Sequence, residues 1–300
     1  FTSSAQTLAV GTQTVLGAPG AITGSATPCE AVATTYSIAP VAGATSYQWT
    51  LPAGWTGSST SLSISATPDG TVGTVSVQAV NICGAGAAST LSVDPILNPV
   101  QPDPIAGNLV PCVGAVETYS VAAVPEATSY NWTLPAGWSG TSSTNSINAT
   151  VGTSGGTISV TATNSCSTGP ARTLAVTTQD VIGPPGAITG EASPCIGTAY
   201  TYSISPVAGA SSYQWTLPSG WSGTSTTTTI SATAGATAGN VTVQAVNICG
   251  AGPGSDLATT PITTPAVPSA ITGPNPACTG QGNTYTCTAV PTATTYNWTY

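Results

Sequence analysis

The stretch Ser46-Tyr47-Gln48-Trp49-Thr50-Leu51-Pro52-Ala53-Gly54-Trp55 returns as residues 129 to 138 and 212 to 221, and begins once more at Thr295. Its first tryptophans stand at positions 49, 132, 215 and 298, a constant period of 83. Self-similarity at one fixed spacing marks an array of equivalent structural units, and a unit of this length is a small domain rather than a turn of a solenoid. Boundaries at the Pro-rich junctions give a tail at 1-17, complete units at 18-100, 101-183 and 184-266, and a truncated unit at 267-300. Residues 7–10 repeat residues 173–176, so the tail reads as the last strand of a preceding repeat plus a linker. At the other end Tyr300 stands where earlier copies have Leu51, Leu134 and Leu217, so the sequence reads as a window on a longer chain.

Within a unit the apolar residues alternate. Tyr36 and Ile38, then Tyr47, Trp49 and Leu51, then Val75, Val77 and Ala79 each skip one polar neighbour, which is the pattern of a strand with one buried face. Clusters of Gly, Pro, Ser and Thr separate these runs, and no stretch has helical periodicity. With short strands around Ile64 and around Leu91 and Val93, the count reaches six or seven, and the expected fold is all-β, a β-sandwich per repeat. The copies also rank positions. Ile64 returns as Ile147 and Ile230 and is read as core, whereas Leu62 becomes Asn145 and Thr228 and is placed near an edge. A longer rhythm overlies the first: units one and three share Ala-Val-Asn-Ile-Cys-Gly-Ala-Gly at 79–86 and 245–252, so the duplicated element is a pair of units.

Cysteines keep the same period. Cys29, Cys112, Cys195 and Cys278 lead successive units, and Cys83, Cys166 and Cys249 follow the first three at a fixed offset. One front and one rear cysteine per unit reads as an intradomain disulfide, giving the pairs Cys29–Cys83, Cys112–Cys166 and Cys195–Cys249. Cys278 has no mate at that offset. Cys287 takes the place of Ile38 and Val121 and reads as a buried thiol acting as a small hydrophobe, with a bond to Cys278 as the alternative. Metal binding is set aside because there is no CxxC pair and no His. Disulfides place the chain outside the cytoplasm.

The charge pattern excludes several classes of function. One Lys or Arg among 300 residues, with a net charge of −8, offers no basic patch to phosphates, so nucleic acid is excluded as a partner. No apolar run approaches the roughly 20 residues of a membrane helix, so direct membrane insertion is not expected. Without His or Lys the usual catalytic bases are missing. Asp69, Asp94, Asp103 and Asp180 fall in turns or junctions and form no close pair, so no catalytic residue, metal site or cofactor is assigned. Trp49, Trp132, Trp215 and Trp298 are read as the core signature. Trp55, Trp138 and Trp221 each follow a Gly in a loop, where an indole can either cap the sandwich or offer a stacking platform to a sugar.

Tyr-x-Trp in the third strand, the following Pro-x-Gly-Trp and the Asn-x-Cys near the end of each unit together resemble the PKD-like repeats of secreted Bacteroidota surface proteins, including gliding-motility adhesins exported by the type IX secretion system. The resemblance implies immunoglobulin-like sandwiches and a bacterial cell-surface location. The chain departs from the acidic Gly-Asp-Gly turn of the better-known PKD pattern, having Thr50-Leu51-Pro52-Ala53-Gly54 in its place.

The function expected from these readings is a non-catalytic stalk, an extended rod whose partners are other repeats of the same chain, neighbouring rods, surface glycans or cell-surface machinery. An assembled extracellular filament and a carbohydrate-binding array are the alternatives.

Overall fold

Alternation of buried and exposed positions builds two sheets in each complete repeat. In a computed structural model that describes residues 6 and 11–299, the first repeat contains β1 (Thr34–Ser37), β2 (Ser46–Thr50), β3 (Ser63–Ala66), β4 (Gly73–Asn81) and β5 (Gly84–Val93). The tail strand expected at residues 7–10 lies outside the described residues. β1 pairs with β3, and β4 lies between β2 and β5, every pairing being antiparallel. The inner faces meet in one core: Tyr36, Ile64 and Ala66 from the smaller sheet, and Tyr47, Val75, Val77 and Ala79 from the larger, are all buried. Single bridges, Thr23 to Ser37 and Thr56 to Thr67, extend the smaller sheet where Pro and Gly prevent longer pairing.

The second repeat follows the same plan with β6 (Val116–Ser120), β7 (Ser129–Thr133), β8 (Ser146–Thr150), β9 (Gly156–Thr163) and β10 (Arg172–Val176). These two repeats lie in one compact unit, Phe1–Thr178. The second unit, Gln179–Tyr300, holds the third repeat as β11 (Ala199–Ser203), β12 (Ser212–Thr216), β13 (Thr229–Thr233), β14 (Gly239–Asn247) and β15 (Gly250–Thr259). The protein is thus all-β, and no helix occurs among the described residues.

β9 and β10 are shorter than their counterparts for a local reason. In repeats one and three Gln78 and Gln244 donate from Nε2 to the carbonyls of Gly86 and Gly252 at 2.7 and 2.9 Å, bracing the hairpin across a bulge. Thr161 replaces them in repeat two, and its buried Oγ1 has no hydrogen-bond partner. Residues 264–299 contain one isolated bridge, Thr272 to Thr286, and no strand. Tyr285 is 44% exposed, whereas its equivalent Tyr36 is fully buried. Cys287, expected to be a buried thiol, is free and half-buried.

Each core tyrosine ties its strand to the segment before it. Tyr36, Tyr119 and Tyr202 donate from their hydroxyls to the carbonyls of Ser25, Asn108 and Glu191 at 2.9–3.0 Å. Burial raises all three phenols, and for Tyr119, with Glu117 nearby, the value is pushed up to about 12. A neutral phenol is the form the core accepts. Its contribution is complete below the unfolded value of about 10 and is lost as pH rises from there through the folded value. The urea midpoint is expected to fall between about pH 10 and about pH 12 as Tyr119 forms phenolate, read by its ultraviolet absorbance. A midpoint that falls before any phenolate appears would remove Tyr119 as the cause.

Candidate functional site at the junction between repeats

The chemistry-bearing residues of this chain gather where one sandwich hands over to the next. After β5 the chain turns back beside Pro28 and Cys29: Glu30 donates its amide to the Ile96 carbonyl at 3.0 Å, and Ile96 donates to Pro28 at 2.9 Å. Residues 97–102 then run along the β9–β10 hairpin of the second repeat. Asn164 is 8% exposed and donates from Nδ2 to the Leu97 carbonyl at 2.7 Å. Its Oδ1 accepts from the amides of Cys166 and Ser167 at 2.9 and 3.0 Å, which shapes the hairpin tip. Ser167 Oγ is 2.5 Å from Asn98 Oδ1, and the Asn98 amide donates to Glu30 Oε2 at 2.9 Å. Further along, Gln101 Nε2 reaches the Ala171 carbonyl, and Arg172 Nε reaches that of Pro102 at 2.8 Å. At Gly169 a Cβ would collide with the Pro99 backbone, so the close approach of linker and hairpin requires glycine there.

A disulfide closes this junction. Cys29 is bonded to Cys166 with a Cα–Cα distance of 5.5 Å, across a sequence separation of 137 residues. The expected intradomain pairs do not form: Cys83 and Cys195 carry free thiols, while Cys112 and Cys249 are disulfide-bonded. Geometry explains the correction. Cys83 occupies the turn before β5 and Cys29 bridges to Ile96 just after that strand. Ten residues of β5 hold them at opposite ends of the sandwich, roughly 30 Å apart at about 3.3 Å per residue, far beyond the reach of an S–S bond. Cys249 and Cys195 flank β15 in the same way. Cys278 is exposed, and both it and Cys287 have free thiols.

The linker-to-hairpin contact recurs. Asn81 and Asn247 donate to Thr14 and Asp180 at 2.9 and 3.0 Å, and Ser89, Arg172 and Ser255 all donate to a proline carbonyl in the preceding linker. Sequence reasoning used the Asn only as part of a motif. Its recurrence two residues before each rear cysteine was the available signal. Replacing buried Asn164 by Ala leaves the Leu97 carbonyl and the hairpin amides of Cys166 and Ser167 without this partner, at an expected cost of about 1–3 kcal/mol. Hydrogen exchange at the Cys166 amide measures this, and unchanged protection would refute it.

The tryptophans fall in two environments. Trp55, Trp138 and Trp221 are 7–8% exposed, packed 6.1–6.4 Å from Tyr36, Tyr119 and Tyr202 between ring centroids. Their Nε1 atoms donate to the carbonyls of Thr71, Ser154 and Thr237 at 2.9–3.0 Å. They cap the core from within and present no ring face to a sugar. Trp49, Trp132 and Trp215 are half-buried against the core, with Nε1 bonded to Ser61, Thr144 and Thr227. Trp298 is 49% exposed. The Asp69 carboxylate accepts the Thr71 amide at 2.9 Å and is held below its usual range by hydrogen bonds from Thr71. Among the described residues, no three His, Cys, Asp or Glu side chains gather as a metal group.

A family model described as PKD-like domain matches residues 15–93, 98–176, 181–259 and 264–300. No curated protein sequence matches. Similar solved structures include the Escherichia coli adhesin FdeC, with 17% identity over 81% of this chain and 96% of that one and a TM-score of 0.39. The FN1–FN3 domains of chicken CNTN1 share 15% identity over 82% and 99% of the two chains, with a TM-score of 0.31. The human Desmocollin-1 ectodomain shares 11% over 84% and 61%, with a TM-score of 0.32.

Proposed function

The chain belongs to the PKD-like domain family, and from that premise we propose that it is a non-catalytic spacer in an extracellular adhesive protein, holding a binding tip or cargo away from a surface. The observation that carries this reading is the Cys29–Cys166 bond between successive repeats, set in a junction where the linker is hydrogen-bonded along its length. A hinge built for free motion would lack both. Structural disulfides persist in oxidising compartments, which supports the extracellular assignment. The resemblance in the Tyr-x-Trp, Pro-x-Gly-Trp and Asn-x-Cys motifs supports the finer reading, a bacterial surface protein of the secreted Bacteroidota kind connected with gliding or attachment. With one Arg and no Lys, the surface offers trypsin-like proteases a single cleavage point, as suits an exposed stalk.

Small-angle scattering of the whole chain tests the spacer reading. An elongated particle whose longest dimension grows with the number of repeats is expected, and a collapsed particle would refute it.

A further inference from the structure

Where the first repeat meets the second, an open cleft of about 260 Å³ has Gly70, Val72, Asp94 and Leu97 on one side and Glu126, from the β6–β7 connection, on the other. Its lining departs from the repeat pattern. Val72 stands where the other complete repeats have Gly155 and Ala238, Leu97 where they have Asp180 and Thr263, and Asp94 where they have Thr177 and Thr260. Glu126 replaces Gly43 and Gly209. The first repeat's wall has thus gained apolar bulk, and a carboxylate enters from each side.

Glu126 holds its place against the preference of the backbone. The turn from Val124 to Ala127 is closed by the Ala127 amide on the Val124 carbonyl at 3.2 Å, and Glu126 has a φ of 61°, in the left-handed region. Repeats one and three put glycine there, at 83° and 82°, which is the residue such a turn position ordinarily takes. Asp94 is fixed through its amide, which donates to Ala26 at 2.8 Å, and its side chain is exposed. Glu30 adds negative charge beside Gly70, with its other oxygen accepting the Asn98 amide. The chain has no spare cation to meet this charge: its one basic side chain, Arg172, is bonded to the Pro102 carbonyl.

We propose that this cleft docks a lysine or arginine side chain presented by a partner protein. The aliphatic stem lies on Val72 and Leu97, which are 63% and 41% exposed, and the cationic head sits between Asp94 and Glu126. The cleft is smaller than the roughly 300–1,000 Å³ of small-molecule pockets, which suits one side chain rather than a whole ligand. A divalent cation suits it less: calcium takes six or more oxygens, and no three acidic, His or Cys side chains gather as a metal group among the described residues. Because the carboxylates are exposed, the attraction selects basic over neutral partners and weakens with salt. This docking is independent of the spacer role, since an extended rod needs no partner at this junction.

The whole chain, labelled at its valine and leucine methyl groups, is titrated with the blocked peptide acetyl-Gly-Arg-Gly-amide and followed by nuclear magnetic resonance. Methyl signals of Val72 and Leu97 should shift at millimolar peptide, and the shifts should fade in about 0.5 M sodium chloride. The neutral peptide acetyl-Gly-Gln-Gly-amide should leave them in place. Asp94→Thr and Glu126→Gly each introduce the residue of sister repeats, and Thr177 and Thr260 carry the same backbone bond as Asp94, so the fold is kept. Each variant should weaken the response about two- to fivefold, and the double variant should lose it. Retention of the Cys29–Cys166 peptide reports an intact junction. Unmoved Val72 and Leu97 signals, an equal response to the neutral peptide, or a response that persists in the folded double variant would overturn the proposal. So would calcium chloride alone moving the same signals at lower concentration, which would make the cleft a metal site.

Discussion

Stretched between its ends under oxidising conditions, a Cys112→Ser/Cys249→Ser variant, in which the Cys29–Cys166 bond is the disulfide that remains, will keep the whole segment between those two cysteines, a sequence separation of 137 residues, out of the load path. Reduction should release it as about 450–490 Å of added contour, at about 3.3–3.6 Å per residue. The Cα atoms of the bonded pair are 5.5 Å apart, so almost all of that length is new. Bonds between the front and rear cysteines of one repeat would instead release separate loops of about 180–195 Å each at the same rise. Single-molecule extension with and without reductant distinguishes these cases by step size. Small steps alone would refute the inter-repeat pairing. In solution the same reduction should destabilise the first two repeats by up to about 5 kcal/mol, the chain-entropy limit for a loop of this size.

That pairing was only half legible in the sequence. Periodicity marks Cys29 and Cys166 as front and rear cysteines, but it fixes partners only to within whole periods. For Cys29, the rear cysteine of its own repeat, Cys83, and that of the next, Cys166, are equally regular choices. What decides between them is the length and direction of β5, which carries the chain from the Cys83 turn to the Ile96 end of the sandwich. An estimate of strand rise would have excluded Cys29–Cys83. Nothing in the spacing would have revealed that Asn164 anchors the linker at Leu97, because that contact depends on two repeats being docked.

The sandwich itself was much more legible. Period-two alternation located β2 and β4 through Tyr47 and through Val75, Val77 and Ala79, and the repeat-to-repeat comparison separated buried Ile64 from exposed Leu62. Sheets are set by which face is apolar, and a strand records that in its own residues. The one or two additional strands expected in each repeat shrink to single bridges, since Pro and Gly on either side cut the pairing short.

Trp138→Ala should be the most damaging single core substitution in the second repeat, with an expected loss of about 3–5 kcal/mol. The indole is 8% exposed, fills the space beside Tyr119 and satisfies the Ser154 carbonyl, so its removal leaves both a cavity and an unpaired acceptor. Trp132→Ala should cost about half as much, since β7 is an edge strand in the order β10-β9-β7 and its indole is only half-buried. The ranking reverses what position alone suggests, for a strand residue is ordinarily better buried than one in a loop. Here the loop after β7 folds its tryptophan inward between the sheets, while the strand tryptophan lies at the rim of the core. Urea unfolding followed by far-ultraviolet circular dichroism compares the two variants, and a larger loss for Trp132→Ala would contradict the packing described. Glycan titration of the intact chain supplies the complementary readout. With the loop indoles enclosed, sugars should leave their fluorescence unchanged, whereas quenching that disappears in a folded Trp138→Phe variant would restore the platform role.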